Sequence, residues 1–249
     1  MTRNPPAPRK LTARVTEKQV MAGGIVRLRL TPETEGQADF SFLPGQYLRL
    51  FLGEFEPRDY SIASQPDDPA LEFHIKNQGE GGASSFIADK LAPGDSLPIE
   101  GPFGTCVLRV DHAGPLLGVA GGTGLAPVYN ILLQALREGF DRPVQLYYGA
   151  TSAAEIFLHD DFRKIAEDYD NFEFFLISMT QDDGLPQGLV TDLLTPTAPL
   201  TGARAYVAGP PPMVEAAVTR LKDLGLPEER IQADAFTLGP ALPQASDEG

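Results

Sequence analysis

A chain of 249 residues with 42% hydrophobic content can bury two cores of ordinary domain size, and its 25 glycines and 23 prolines mark frequent turns between short strands rather than a low-complexity polymer. The net charge of −14, from 34 acidic and 20 basic residues, argues against nucleic acid or an anionic membrane as the main partner. One cysteine, Cys106, excludes an internal disulfide or an all-cysteine zinc or iron–sulfur site within these residues; residues 1–10 lack the apolar core of a signal peptide and no run nears the ~20 apolar residues of a membrane helix, so a cytoplasmic protein without membrane insertion is expected.

In chain order, the first part reads as short β-rich runs at 11–20, 24–30, 46–52, 58–63, 71–76 and 96–100, the last running on through 106–110. Turn residues punctuate them at Pro44-Gly45, Gly53, 65–69 and Pro93-Gly94. One helix is expected at 83–91, where Phe86, Ile87 and Leu91 recur at helical spacing. Near 111–115 the pattern changes to strand, glycine-rich turn and helix in repetition. Strands are expected at 116–120, 144–149, 172–178, 203–208 and 231–235, helices at 127–137, 160–167 and 212–224, and the apolar run 189–194 continues the alternation. The fold class is therefore β followed by α/β: an antiparallel barrel with one helix over 1–111, and a parallel sheet covered on both faces over 112–249, ending in a solvated tail at 237–249. In such a sheet ligands gather at the carboxyl ends of the strands. His74, His112 and His159 lack metal-ligand spacing; the first is expected in a strand, the others at the surface, and no metal is expected.

Four segments carry chemistry. In Arg58-Asp59-Tyr60-Ser61 a strand sends Arg58 and Tyr60 to one face and Ser61 to the other, so a guanidinium fork can grip a phosphate while a phenol ring stacks on a flat ligand. Alone, the tetrapeptide is better read as an ordinary strand with an exposed arginine. Next, Gly79, Gly81 and Gly82 run into the expected helix through Ser84 and Ser85, where free N–H groups and hydroxyls converge as an anion requires; simple N-capping by either serine accounts for the same residues. Third, Gly121-Gly122-Thr123-Gly124 breaks an apolar strand and enters a helix through Pro127, a turn that lets the backbone approach a pyrophosphate, without the spacing of the dehydrogenase fingerprint. Last, Gly209-Pro210-Pro211-Pro212-Met213 again joins strand to helix, with prolines forming a rigid wall.

In this order the segments resemble the ferredoxin–NADP reductase superfamily, the flavin and pyridine-nucleotide modules of bacterial oxygenase reductases in particular, over 11–236. The family's Arg-x-Tyr-Ser matches Arg58, Tyr60 and Ser61, and the resemblance implies phosphate binding by Arg58, ring stacking by Tyr60 and a hydrogen bond from Ser61 to flavin N5, the last two being the residues at the reacting ring. Gly-Gly-x-x-Ser matches Gly81, Gly82 and Ser85, implying flavin phosphate contacts, with Ser84 beside them; His74, Ile75 and Lys76, at the end of the preceding strand, are placed in the same flavin site. Pro44-Gly45-Gln46-Tyr47 and Gly101-Pro102-Phe103-Gly104 resemble family turns of the flavin barrel.

In the second half, Gly122, Thr123, Gly124 and Pro127 look like the family's nicotinamide-dinucleotide turn, Thr151 lies in the segment after the next strand, and Gly209, Pro210 and Met213 resemble the Cys-Gly-Pro-Pro motif beside the nicotinamide, with Ala208 at the cysteine position. Phe236 resembles the aromatic family terminus near the flavin. The implied activity is hydride transfer from nicotinamide to flavin, then onward to an acceptor. FAD is expected over FMN, and NADH over NADPH because 149–155 offers hydroxyls but no arginine for a 2′-phosphate, with Arg163 or Lys164 the nearest substitutes. The acceptor is expected to be a separate ferredoxin or oxygenase component, or a small molecule, and the chain a monomer. Two other readings stay open: a free-flavin reductase, and a non-catalytic flavoprotein interaction or regulatory module. Asp59 and Glu155 are expected to be solvated, and Cys106 a small strand residue.

Overall fold

The computed structural model describes residues 4–33, 40–79, 81–109, 112–181 and 184–236. The first half forms one antiparallel sheet from β1 (Arg9–Val20), β2 (Ile25–Glu33), β3 (Tyr47–Leu50), β4 (Arg58–Ser61), β5 (Leu71–Lys76) and β6 (Ser96–Phe103), ordered β4-β3-β6-β1-β2-β5. The two edges meet where the Ala63 amide donates to the Glu72 carbonyl at 2.8 Å, so the sheet curls into a nearly closed barrel. Period-two patterning explains the filling: Val26, Leu28 and Leu30 of β2 point inward with Leu48, Leu50, Phe73 and Ile99. The intervening Arg27 and Arg29 point outward, where both meet the carboxylate of Glu72 across the β2–β5 pair. Helix α1 (Ala83–Asp89) follows β5 and buries Ile87 against the same core.

The second half is a parallel sheet of β7 (Leu116–Gly121), β8 (Val144–Ala150), β9 (Phe172–Ser178), β10 (Arg204–Gly209) and β11 (Ile231–Ala235), ordered β11-β10-β7-β8-β9. Strands buried on both faces read as continuous apolar runs. One face, with Leu116, Ala120, Leu146 and Tyr148, is covered by α2 (Leu125–Arg137) and α3 (His159–Asp168). The other, with Leu117, Val119, Tyr147 and Val207, is covered by α4 (Pro211–Asp223).

Over 106–109 the expected strand does not form, and Val110 lies outside the described residues. After β6 the chain turns at Gly104, whose φ is +99°, and the Val107 carbonyl and Arg109 amide both bind the Tyr206 hydroxyl of β10, so this segment bridges the two sheets instead of extending one. Cys106 therefore packs against the α2 side of the parallel sheet rather than sitting in a strand. The run 189–194 is a short 3-10 turn, Val190–Leu193, laid over the α4 face, its apolar residues covering a sheet that has its five strands already. His112 is buried against the Phe140 ring rather than at the surface. The tail 237–249 and Asp111, on which the expected boundary falls, lie outside the described residues. Among the described residues no helix is long and apolar enough to cross a membrane, and no cluster of His, Cys, Asp or Glu is arranged to hold a metal.

Candidate functional site

The barrel seam is where β4 and β5 come together. On β4, Asp59 turns outward, exposed as expected, to a two-bond pair with Arg49 at 2.8 and 2.9 Å, so its charge is not available to Arg58. Arg58 is left with one contact at hydrogen-bond length, to the Pro57 carbonyl at 3.4 Å, and no carboxylate partner among the described residues. Tyr60 packs on the barrel core, and burial pushes its hydroxyl up to about 12, so the phenol stays protonated at any working pH. Ser61 ends the strand half-buried, paired across the sheet with Tyr47.

On β5, Glu72 and His74 share one network with Arg27 and Arg29, while Lys76 makes a separate pair. Burial alone would raise the Glu72 carboxyl, but bonds and charge from His74, Arg29 and Arg27 outweigh it and hold it at about 2. His74 is buried, with Nε2 2.8 Å from Glu72, its ring edge-on to Phe157 of the second half, and Nδ1 without a hydrogen-bond partner. Lys76 binds the Gly23 carbonyl and the Glu155 carboxylate at 3.0 Å, which makes Glu155 a half-buried ion-pair partner across the two halves rather than a solvated acid. Ile75 points into the barrel core.

In the turn that follows, the serine hydroxyls serve local structure. The Ser85 hydroxyl accepts from the Gly82 amide at 3.1 Å and donates to its carbonyl at 2.8 Å, while Ser84 accepts from the Gln78 amide at 3.0 Å. Their oxygens thus hold the shape of the turn and leave the first amides of α1 without intrahelical partners.

The remaining segments meet at the carboxyl ends of the parallel strands, because register aligns them: Gly121 lies opposite Gly149, Ala150 opposite Ser178, Ala208 opposite Ala120 and Gly209 opposite Ala235. The Gly122–Gly124 turn and its Thr123 lead into α2, with Pro127 inside the first turn where a missing N–H is harmless. Thr151, exposed beyond β8, is tied through its carbonyl to Thr180. At the end of β10, the methyl group of Met213 closes on Gly209 and Gly121, Pro210 lies against Gly121 as the residue before α4, and Phe236 donates its amide to the Gly209 carbonyl at 2.9 Å. The two glycines of the turn have different reasons. A side chain on Gly124 would sit 2.3 Å from the Ala208 carbonyl, so it is small for packing, whereas Gly122 has φ +54° and open space where a side chain would go.

Tertiary contacts bring both groups together. Strand β5 lies against the Gly122–Gly124 turn, Gly23 abuts Ala154 and Glu155, and Ile131 of α2 fills the space beside Gly45. Two interfacial residues escaped the sequence reading: Gln65 and Asn130, both buried and hydrogen-bonded to each other at 2.7 Å. A signal existed for the second, since a single asparagine in the middle of the apolar run 125–133 is a polar residue that needs a partner. Cys106 and Asp234 lie near this junction; burial, then the Asp234 charge, push the thiol up to about 12, so Cys106 is not poised as a reactive thiolate, and burial raises the Asp234 carboxyl.

These residues fit a flavin nucleotide and a pyridine nucleotide. Gly81, Gly82 and Gly122 each face space that a methyl group would enter without contact, as a backbone cradle for phosphates requires. An unpaired guanidinium at Arg58 and a buried unpartnered nitrogen on His74 add unused binding capacity on the same seam.

Comparison with known proteins agrees with this geometry. Residues 12–108 match a family model described as an oxidoreductase FAD-binding domain, and 119–219 one described as an oxidoreductase NAD-binding domain. The ferredoxin–NAD(P)(+) reductase component of the naphthalene 1,2-dioxygenase system of Pseudomonas putida is 39% identical over 203 residues, covering 80% of this chain and 62% of that protein. The ferredoxin–NAD(+) reductase component of the alkene monooxygenase system of Xanthobacter autotrophicus is 34% identical over 242 residues, covering 93% and 71%. A crystal structure of the Amycolatopsis cytochrome P450 reductase GcoB superposes with a TM-score of 0.85 at 33% identity, covering 94% of this chain and 72% of that one. The chain spans between 60% and 71% of the length of the curated relatives it matches.

Proposed function

We propose a function from one premise: the chain belongs to the ferredoxin-reductase-type family of FAD- and NAD-binding oxidoreductases that includes the reductase components of oxygenase systems. It oxidises a reduced pyridine nucleotide and delivers the electrons through FAD to a separate carrier, a ferredoxin or an oxygenase component. The observation that carries this reading is the position of the Gly122–Gly124 turn against β5 at the barrel seam, which brings a pyridine-nucleotide turn beside a flavin strand. When bound, the flavin accepts a hydride from the dihydronicotinamide and releases the electrons onward.

The chain's own residues bind and orient. Arg58 offers a two-pronged cation to the flavin phosphates, and the glycine turn at 81–82 offers amides. Tyr60 presents a ring backed by the barrel core, and the Ser61 hydroxyl sits at the strand end to bond the ring edge. Gly122, Thr123 and the start of α2 receive the dinucleotide phosphates, while Gly209, Pro210, Met213 and Phe236 wall the nicotinamide side. Ala208 stands within this wall at a position of no polar reach, so the chain places the nicotinamide by shape there.

NADH is the proposed donor, with FAD rather than FMN as the flavin. Thr151 supplies no cation at the end of β8, Lys76 is committed to Glu155, and Arg163 is exposed on α3 with Asp160 4.0 Å away. The sequence divides accordingly into a flavin domain at 1–111 and a nucleotide domain at 112–249, working as a monomer. The test is an absorbance spectrum of the purified protein followed by anaerobic titration. A yellow, near-stoichiometric flavin bleached by NADH at much lower concentration than NADPH is expected. Weak, substoichiometric flavin would favour a free-flavin reductase, and no bleaching by either nucleotide would overturn the enzyme reading.

A further inference from the structure

Helix α2 carries one fully buried polar side chain, Asn130, that none of the binding roles above uses. Its Nδ2 donates to the carbonyls of Ile62 and Ser64, both at 2.9 Å, and its Oδ1 accepts from Gln65 Nε2 at 2.7 Å. Gln65 Nε2 also reaches the Asn130 carbonyl at 3.2 Å. All of these partners lie in the stretch directly after Ser61, and the helix that carries Asn130 begins directly after the Gly122–Gly124 turn. From the barrel side the same stretch is held by the Ile62 amide donating to the Gln46 carbonyl at 3.0 Å, the Ala63 amide to the Glu72 carbonyl at 2.8 Å, and the Ser64 hydroxyl accepting from the Glu72 amide at 3.0 Å.

Apolar contact also joins the halves here, through Ile131 beside Gly45, but it is non-directional and tolerates sliding. Hydrogen bonds to main-chain carbonyls do not, because their length and angle are narrow and a carbonyl cannot change rotamer. A leucine at this helix position would fill the space without needing any partner. The asparagine instead ties one rigid helix to one strand end at fixed separation.

We infer that Asn130 is a positioning residue for the reaction proposed above, on which this rests: it sets the distance between the Ser61 strand end and the dinucleotide turn, and so the alignment of the two rings. Gln65 supports it by holding the amide orientation.

Three readouts test this on the FAD-loaded chain, with a fourth on the flavin-free chain. In Asn130→Leu the rate of flavin reduction at saturating NADH is expected to fall about tenfold or more, since displacements near 1 Å cost rates of that order, while KM for NADH stays within about threefold. Dithionite reduction, which needs no nucleotide turn, is expected to be unchanged. Asn130→Asp keeps the shape and the Gln65 bond but loses both donors, and is expected to fall with the leucine variant. In the flavin-free chain, Asn130→Leu is expected to speed hydrogen exchange at amides 62–65 and leave those of β1 protected. Gln65→Met, which leaves two of the three Asn130 side-chain bonds in place, serves if the leucine variant does not fold, with an expected loss of about threefold. Wild-type reduction rates in these variants, or a loss confined to KM or to flavin content, would overturn the inference while leaving the enzyme reading intact. A wild-type chain that neither NADH nor NADPH reduces would overturn the enzyme reading and this inference with it.

Discussion

The two halves build their binding surfaces by opposite means. The barrel seam presents side chains: Arg58, Tyr60 and Ser61 project from a strand, and β5 contributes a charged network centred on Glu72. The parallel sheet presents backbone: at Gly121, Gly122, Gly124 and Gly209 what matters is the atoms that are missing. Alternating strands in an antiparallel sheet can spare one face for polar groups, whereas strands buried on both faces cannot, so only their ends are free to touch a ligand. Damage should therefore differ in kind, with steric faults dominating the second half and electrostatic faults the first.

The largest effect is expected at Gly124. A valine there meets the Ala208 carbonyl, which is backbone and cannot step aside, so Gly124→Val should cost about 3 kcal/mol or more and remove NADH oxidation while the barrel still binds flavin. Thermal melts and flavin content, measured together, check it; loss of flavin alongside would break the contrast between the halves.

Next comes Glu72. Its folded value of about 2 lies below the ordinary 4.5, so its contribution is present above pH 4.5 and lost as the pH falls toward 2. Glu72→Gln should be less stable than wild type near pH 6 by on the order of 2 kcal/mol, and the two melting curves should converge below about pH 3. A constant gap across that range would mean that packing, not charge, is what the residue supplies.

Arg58→Leu should weaken FAD binding by about tenfold to thirtyfold, as expected for loss of a charge-assisted contact, yet leave the melting temperature of the flavin-free chain unchanged because no acid partner is orphaned. Flavin titration and apo melts separate the two effects. The smallest change is expected at the partly exposed Lys76–Glu155 pair: Glu155→Gln should cost no more than about 1 kcal/mol, and the difference should shrink in high salt.

Much of the architecture was legible because it is local. Every strand and helix was found within about three residues of its observed ends, apart from the 106–110 extension and the 189–194 run. Both errors have one cause: apolar residues there cover another element, and periodicity does not say which. In the candidate site, the strand at Arg58–Ser61 and the turn at Gly122–Gly124 were placed from their types and neighbours. Asn130 and Gln65 were not, since 65 positions separate them, and neither was the Lys76–Glu155 pair at a separation of 79.

The sequence by itself determined the order of the two halves, the strand that carries Arg58, Tyr60 and Ser61, and the glycine turns, because each depends on φ preferences and alternation within a few residues. Only the tertiary structure decided that the barrel closes at Ala63 and Glu72, that Glu155 is a partner and not a solvated acid, and that Asn130 ties α2 to the stretch after Ser61. Those are long-range pairings, and their energy exists only when distant segments have already been brought to hydrogen-bond length.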